Sequence, residues 1–257
     1  MIFESHAHYE DHKFDEDREE LLQRLPKEGI EYVVNVGSSL ATCKETLKLI
    51  DKYAYMFGAI GVHPEECAEL NEETFAWLTS VLQHDKVVAV GEIGLDYYWD
   101  EPEREIQKKW FERQIALARE VKLPMVIHSR DAAKDTLDIM KACKAEEAGG
   151  VLHCFSYGTD MAREYLDMGF YIGIGGVVTF KNAKKLKEVA EYVPMDRILL
   201  ETDCPYMAPE PHRGKRNSSL YLPHVAEKIA EIKGISAEEV VRITNENGRR
   251  MYRINQC

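Results

Sequence analysis

The chain has 257 residues, of which 45% are hydrophobic and 30% are charged, and its formal net charge is −12 at pH 7. This length suffices for one large domain or two small ones, and the composition is that of an ordinary globular protein. The acidic excess excludes broad, nonspecific binding to nucleic acid, which needs many Lys and Arg side chains to displace counterions from phosphates. Any contact with nucleic acid should therefore be small and local.

The sequence also bears on the cellular compartment. No run approaches the roughly 20 apolar residues that cross a bilayer, and Met1 leads directly into a strand-like segment rather than a basic, apolar leader. The six cysteines are dispersed, without a CxxC pair, so we interpret them as reduced thiols. We expect a cytoplasmic protein with no membrane contact and no stable protein partner.

Apolar, β-branched runs alternate along the chain with charged segments of helical periodicity. Eight such runs are predicted strands, at 2–6, 32–36, 56–62, 87–92, 125–128, 151–153, 171–175 and 197–202. Amphipathic segments predict helices at 103–121, 183–193, 222–233 and 236–246. Eight strand and helix units without a linker predict an α/β fold, a (β/α)8 TIM barrel that forms a single domain over residues 1–257.

The main alternative is an open, doubly wound sheet. Such a sheet would carry a phosphate-binding GxGxxG motif after its first strand, and the sequence has none there. The GIGG segment at 173–176 lacks the third glycine of that motif. We interpret it as a place near the barrel rim where the backbone is crowded.

Residues of metal-ligand type recur where the predicted strands end. His6 and His8 point to the same side, because side chains alternate along a strand. The other strands place Glu92, His128, His153 and Asp203 at the same level. Each has an ordinary explanation on its own, such as a histidine bonded to a carbonyl, a helix cap or a turn. Because active sites of TIM barrels lie at the C-terminal ends of the strands, we expect all six to converge on one axial point.

Segments throughout the chain resemble the TatD family of metal-dependent deoxyribonucleases. They are SHAH (5–8), GVHP (61–64), GEIGLDYYWD (91–100), VIHSRDA (126–132), LHCFS (152–156), ETDCPY (201–206), HRGKRN (212–217) and TNENGRRMY (244–252). Of these, GEIGLDYY, VIHSRDA and ETDCPY are far more specific than an HxH pair. The resemblance implies an amidohydrolase-type barrel that uses divalent metal to cleave phosphodiester bonds, typically as a 3′ to 5′ exonuclease. DNA is the implied substrate, with single-stranded ends as the implied site of attack.

The resemblance also implies two divalent ions. The first would be held by His6, His8, Glu92 and Asp203, and the second by Glu92, His128 and His153. Glu92 would bridge the ions, because a carboxylate has two oxygens; without that bridge the site would be mononuclear. Zn²⁺, Mn²⁺ and Ni²⁺ suit this donor set, and Mg²⁺ suits it less well. Asp203 would accept the proton of an activated water, so Glu92 and Asp203 are the predicted catalytic residues.

Substrate contacts are predicted in two places. His63, in GVHP, either contacts a phosphate or packs beside the metal site. The HRGKRN segment puts three cations, Arg213, Lys215 and Arg216, in one loop after the eighth strand. A solvated charge run is the usual explanation of such a cluster, but its expected position above the metals favours phosphate binding.

Other residues have expected supporting roles. Glu201 and Asp96 are predicted partners for the second nitrogens of metal-binding histidines, and Arg130 either shares that role or pairs with an acid. Cys154 and Cys204 should face away from the site as small packing residues between barrel and helices.

Two departures from the family pattern affect the expected substrate site. Ser218 and Ser219 follow HRGKRN where an acid and a proline are usual. Tyr157 stands where a glycine is usual, and it should narrow the pocket or stack on a base. Near the C-terminus, Met251 and Tyr252 predict a terminal helix that docks on the barrel.

Two other functions stay open, because one barrel with a metal site can hydrolyse many kinds of bond. A metal-dependent amidohydrolase or esterase would act on a small molecule, although the Arg and Lys cluster suits phosphate better than an uncharged amide. A metal-binding protein without catalysis would hold metal tightly and turn over no ester.

Overall fold

The computed structural model describes residues 1–254, which form a barrel of eight parallel strands. The strands are β1 (Ile2–Ala7), β2 (Ile30–Val36), β3 (Met56–Ile60), β4 (Val87–Asp96), β5 (Met125–Arg130), β6 (Gly150–Leu152), β7 (Tyr171–Ile174) and β8 (Ile198–Leu200). They pair in chain order from β1 to β8. The predicted (β/α)8 TIM barrel is confirmed.

Helices alternate with these strands along the chain. Those of the described residues are α1 (Arg18–Arg24), α2 (Leu40–Lys52), α3 (Glu72–Val81), α4 (Arg104–Val121), α5 (Ala133–Ala142), α6 (Thr159–Asp167), α7 (Lys184–Tyr192), α8 (Leu222–Lys233) and α9 (Ala237–Met251). Within residues 1–254, none is both long and apolar enough to span a bilayer. The predicted helices agree closely with α4, α7 and α8, whereas α9 continues to Met251 rather than ending at 246.

The fourth strand is longer than predicted, and this matters for the site. It continues past Glu92 to Asp96, because residues 93–96 pair with residues 127–130 of β5. Gly94 allows this pairing: it has φ +152°, and a side chain there would collide with the backbone carbonyl of His128. The extension places Glu92 inside the barrel mouth and Asp96 at its rim.

The strand β8 ends at Leu200, two residues before its predicted end at 202. Few hydrogen bonds of regular strand pairing therefore close the barrel between β1 and β8. The Asp203 amide donates to the His6 carbonyl at 3.0 Å, and the His8 amide donates to the Cys204 carbonyl at 2.9 Å. Beneath them the buried carboxylate of Glu4 accepts hydrogen bonds from the amides of His6 and Thr202 and from the Thr202 hydroxyl. These bonds fix the two strand ends that carry His6, His8 and Asp203.

Two hydrophobic clusters hold the layers together. One consists of side chains of the eight strands together with Met251, Tyr252 and Ile254, and its lack of other helix residues among those described identifies it as the barrel interior. Tyr252 stacks on Phe3 and donates its hydroxyl to the Ser5 carbonyl at 2.8 Å. The other cluster packs the apolar faces of the helices against the strands. The predicted docking of the terminal helix is confirmed.

Candidate active site

A cleft of about 1040 Å³ opens at the C-terminal ends of the strands. Its lining includes five of the six side chains predicted to hold metal: His8, Glu92, His128, His153 and Asp203. The sixth, His6, is fully buried and adjacent to this group. Its ring stacks on the ring of His153, with 3.9 Å between the ring centroids. The structure therefore brings all six predicted residues together.

Glu92 lies at the centre of the group and faces two sets of imidazoles with its two oxygens. Its Oε2 is 3.6 Å from Nε2 of His6 and 3.8 Å from Nε2 of His8. Its Oε1 is 2.7 Å from Nε2 of His153 and 2.9 Å from Nδ1 of His128. Burial opposes ionisation, but interactions with the surrounding histidines, His153 first and with hydrogen bonds from His128 and His153, lower the pKa of Glu92 well below its usual range.

Asp203 completes the first of these sets from the opposite side. Its Oδ1 is 3.2 Å from Nε2 of His8 and 3.7 Å from Nε2 of His6. Asp203 adopts a left-handed backbone conformation with φ +55°, which Asp tolerates better than most residues. Its side chain is 16% exposed, compared with 5% for Glu92, so it is the more accessible carboxylate to a molecule in the cleft.

The second nitrogens of two histidines have acceptors that fix the ring orientation. His8 Nδ1 lies 2.7 Å from the carbonyl of Val36, so its Nε2 faces the centre. His128 Nε2 lies 2.9 Å from Oδ2 of Asp96, so its Nδ1 faces Glu92. Burial lowers the pKa of His128, but its bonds to Asp96 and Glu92 raise that pKa to about 9. Asp96 thus occupies the partner position that the sequence predicted.

Glu201 lies on the buried side of the histidines. Glu201, His6 and His153 each have one potential metal-ligand atom, an oxygen or a ring nitrogen, and these three atoms lie within 4.8 Å of one another. The Nδ1 atoms of both histidines and Oε2 of Glu201 are buried and make no hydrogen bond with any part of the chain described. Burial raises the pKa of Glu201 to about 7. Glu201 therefore lies beside two of the predicted metal ligands, but it forms no hydrogen bond with them, and its role as their partner stays a prediction.

His63 is oriented as a hydrogen-bond donor. Its Nδ1 accepts from the amide of Glu65 at 3.2 Å, which assigns the ring proton to Nε2. That nitrogen is 3.7 Å from Oε1 of Glu92 and lines the cleft. Burial, followed by the charge of His128, lowers the pKa of His63 to about 3, so the ring is neutral. A neutral donor at this position suits contact with a substrate oxygen.

The basic loop after β8 does not supply walls of the cleft. Arg216 donates to the carboxylate of Asp17 and to the carbonyl of Lys13, and Arg213 lies over the ring of Phe180 at 4.3 Å. Neither residue lines the cleft, nor does Lys215. Phosphate binding by this loop therefore stays a prediction. The Arg and Lys side chains that do line the cleft are Arg130 and Lys185. Lys185 is one of several similar lysines in its helix, so no sequence pattern distinguishes it from the others.

Two expectations about neighbouring residues were wrong. Cys154 lines the cleft instead of facing away, because the chain leaves β6 at Leu152 and Cys154 takes φ +45°, which ends the alternation of side chains. Tyr157 is not part of the cleft lining. Its hydroxyl is held by Ser129 at 2.9 Å and by the amide of Ala132 at 3.2 Å, so the phenol supports the end of β5.

The cluster suits divalent cations. It combines imidazole nitrogens with carboxylate oxygens, a mixture typical of transition-metal sites. Within residues 1–254, neither Lys nor Arg forms an ion pair with Glu92, Asp96, Glu201 or Asp203, and the basic groups beside Glu92, Asp96 and Asp203 are imidazoles. Buried carboxylates need compensating positive charge, and bound metal would provide it.

A family model described as TatD related DNase matches residues 3–253 of the chain. The chain belongs to this family. Membership in the TatD related DNase family confirms the resemblance of the motifs and supports assignment of the chain as a metal-dependent hydrolase.

Relatives within this family match along nearly the whole chain. A protein of Bacillus subtilis named "Uncharacterized metal-dependent hydrolase YabD" is 48% identical over 255 residues, covering 99% of this chain and 100% of the relative. A protein of Rahnella named "3'-5' ssDNA/RNA exonuclease TatD" is 30% identical and covers 99% of each chain. The crystal structure of the TatD homologue YJJV of Escherichia coli superposes with a TM-score of 0.93 at 28% identity, over 99% of this chain and 98% of that one.

Proposed function

We propose that the protein is a deoxyribonuclease of the 3′ to 5′ exonuclease type, which uses two divalent ions to cleave phosphodiester bonds at single-stranded ends. The observation that carries the proposal is the position of Glu92, whose Oε2 faces His6 and His8 while its Oε1 faces His128 and His153. A carboxylate with an imidazole pair on each oxygen is suited to link two cations that would otherwise repel each other.

The residues would hold the ions in two sets joined by Glu92. The first set is His6, His8 and Asp203, and the second is His128 and His153. Divalent ions supply Lewis acidity at phosphoryl oxygens and make a water molecule more acidic. Asp96 and the Val36 carbonyl keep the rings of His128 and His8 turned toward the centre, which removes the cost of orienting them during the reaction.

The chain's own groups would orient the reactants and move the proton. Asp203 is the accessible carboxylate of the cluster, so its free oxygen would align the attacking water and accept its proton. His63 would donate its Nε2 hydrogen to an oxygen of the phosphate, because its neutral tautomer leaves that hydrogen directed into the cleft. The Rahnella relative, named as a single-stranded DNA and RNA exonuclease, supports this substrate class.

A metal-dependent hydrolase of a small molecule is the second candidate. The cleft wall contains Glu10, Asp11, Glu65 and Glu66, whose charges would repel parts of a long polyanion and would not hinder a small uncharged substrate. The two candidates differ in the size and charge of the substrate that the cleft accepts.

The test is a digestion time course with an end-labelled single-stranded oligonucleotide beside a panel of amides, lactones and carboxylic esters, with Mg²⁺ or Mn²⁺ supplied. We expect stepwise shortening of the oligonucleotide from its 3′ end, and loss of that activity in Asp203→Asn. The matched control is Asp138→Asn, which removes an exposed carboxylate paired with Lys134 on α5. Hydrolysis of an amide or lactone with an intact oligonucleotide would favour the second candidate.

A further inference from the structure

The mouth of the cleft is divided by charge. Acidic side chains line it after β1 and β3; they are Glu10, Asp11, Glu65 and Glu66. Two cations, Arg130 at the end of β5 and Lys185 in α7, line it elsewhere. Because the strands are ordered from β1 to β8 around the barrel, the ends of β5 to β7 lie opposite those of β1 to β3. One oxygen of Glu65 also lies within 4.8 Å of an oxygen of Asp96, so a negatively charged chain would be drawn to the two cations themselves rather than to a whole half of the mouth.

Arg130 and Lys185 are both available for a ligand. Both side chains are exposed, and neither forms an ion pair with another residue of the part of the chain described, positions 1–254. By contrast, Arg216 and Lys108 are paired with Asp17 and Asp135. Unpaired cations beside a cleft are suited to phosphate, which Arg contacts with two nitrogens and Lys as a point charge.

An aromatic wall stands beside Arg130. Tyr98 and Trp99 follow β4 and are 54% and 59% exposed, and Trp99 lines the cleft. Their rings meet edge to face, with centroids 5.0 Å apart. The guanidinium of Arg130 lies over the Tyr98 ring at 3.7 Å from its centroid. Proteins that bind single-stranded nucleic acids combine exposed aromatic rings, on which bases stack, with cations that contact the phosphates.

The wall is held at a fixed place relative to the metal-binding residues. Oδ1 of Asp96 accepts from the amides of Tyr98 and Trp99 at 2.9 and 3.2 Å, while its Oδ2 faces His128. Gln107 closes the other end of this loop by donating to the carbonyls of Asp96 and Pro102. One carboxylate thus positions both the aromatic wall and a ring of the proposed metal centre.

We infer that Trp99 is a stacking platform for a base of the substrate strand, and that Arg130 and Lys185 hold its phosphates. This inference rests on the proposed function and names the surface that selects single-stranded nucleic acid. Every base has a π-face, so stacking on Trp99 tolerates any sequence. Stacking on Trp99 also requires a base outside a duplex, because both faces of a base inside a duplex are covered by the neighbouring bases.

The test measures binding of the metal-loaded protein to two strands of equal length. One is a phosphorothioate oligothymidylate, which resists hydrolysis, and the other has the same backbone with abasic sugars. We expect Trp99→Ala to weaken binding of the first about fivefold or more and to leave binding of the second unchanged. Trp99→Phe should recover much of the loss, because phenylalanine keeps a ring. Tyr192→Ala, which removes an exposed ring outside the cleft lining, is the matched control and should change neither.

The cations are tested with a second pair of variants. Lys185→Gln should weaken binding of both strands and reduce the salt dependence of binding. Lys184→Gln makes the same change of charge at the neighbouring residue, which does not line the cleft, and it should have neither effect. Arg130→Gln should behave as Lys185→Gln does. Equal effects of Lys184→Gln and Lys185→Gln would overturn the assignment of phosphates to the cleft wall.

The outcomes separate this inference from the proposed function. Methyl p-nitrophenyl phosphate has no base and no second phosphate, so its cleavage does not need the proposed contacts of a strand with Trp99, Arg130 and Lys185. If the wild type cleaves this diester and Trp99→Ala binds oligothymidylate as tightly as the wild type, the inference is wrong and the proposed function stands. If the wild type cleaves neither the diester nor an oligonucleotide, the proposed function fails and the inference fails with it.

Discussion

The carboxylate of Glu201 occupies the space that a side chain at residue 173 would need, so that Gly173 and Glu201 fit together only while residue 173 is glycine. Gly173 lies in β7, and Glu201 follows β8 behind His6 and His153. The crowding expected at the GIGG segment is therefore real, and its cause is a buried carboxylate of the candidate site.

Gly173→Ala should destabilise the fold by about 1–3 kcal/mol, because the added methyl group must displace the Glu201 carboxylate in a packed interior. A double-mutant cycle with Glu201→Ala, followed by urea unfolding of the metal-free protein, measures the effect. The double variant should cost less than the sum of the single variants, since Glu201→Ala frees the space. Additive costs would show that the two residues do not compete for it.

Asp96→Asn should weaken metal binding about 10-fold to 100-fold without unfolding the protein. The carboxylate bonds to His128 Nε2, and an uncharged amide with a single acceptor oxygen would hold the ring less firmly in the orientation that directs Nδ1 at Glu92. Competition with a fluorescent chelator gives the affinity, and Asp138→Asn is the control. Unchanged affinity in Asp96→Asn would mean that the ring orientation does not depend on this bond.

Arg216→Gln should remove the ion pair with Asp17 and should have little effect on substrate binding. The hydrogen bond and charge of Arg216 lower the pKa of Asp17, so NMR titration should show that pKa rising toward its ordinary value in the variant. A carboxylate with a depressed folded pKa stabilises the fold above its unfolded pKa and loses that contribution as pH falls through the folded value. The variant should therefore be less stable at neutral pH, by no more than about 1 kcal/mol because water screens both partly exposed groups, and equally stable once Asp17 is protonated. A large loss of oligonucleotide affinity would instead support the phosphate contact predicted from the sequence.

Divalent metal should stabilise the protein against heat, because the folded state gathers six donor side chains that the unfolded chain separates. At a free metal concentration about 100 times the dissociation constant, the gain is about 2.7 kcal/mol for one site. Differential scanning calorimetry of the chelated and Mn²⁺-loaded protein measures it. His6→Ala should show a smaller rise in Tm than the wild type, and an identical rise would argue that the ion binds elsewhere.

The sequence was most informative where a pattern is local. Short apolar, β-branched runs between segments of helical periodicity predicted eight strands, and the residue type at each strand end predicted which side chains would meet. His6 lies in β1 and His8 follows Ala7, the last residue of that strand, so their shared direction could be predicted from the alternation of side chains along an extended chain.

The remaining features depend on contacts between distant residues. The pairing of Arg216 with Asp17 joins the basic loop to the start of α1 and cannot be read from a charge run. The extension of β4 to Asp96 depends on Gly94 fitting against His128 of the next strand. Cys154 turned toward the cleft because β6 ends early, which no local pattern marked. The Trp99 wall had a signal, the run of aromatic residues in GLDYYWD, but only the fold shows that it stands beside Arg130.

The most direct test of the account is the metal content of the wild type and of Glu92→Ala, measured by mass spectrometry after equilibration with Mn²⁺ and removal of free ion. Circular dichroism should first show that the variant is folded. Because Glu92 joins the two sets of imidazoles, we predict two ions per chain in the wild type and at most one, weakly held, in the variant. Two tightly bound ions in Glu92→Ala, or a single ion in the wild type, would contradict the bridging role on which the proposed function depends.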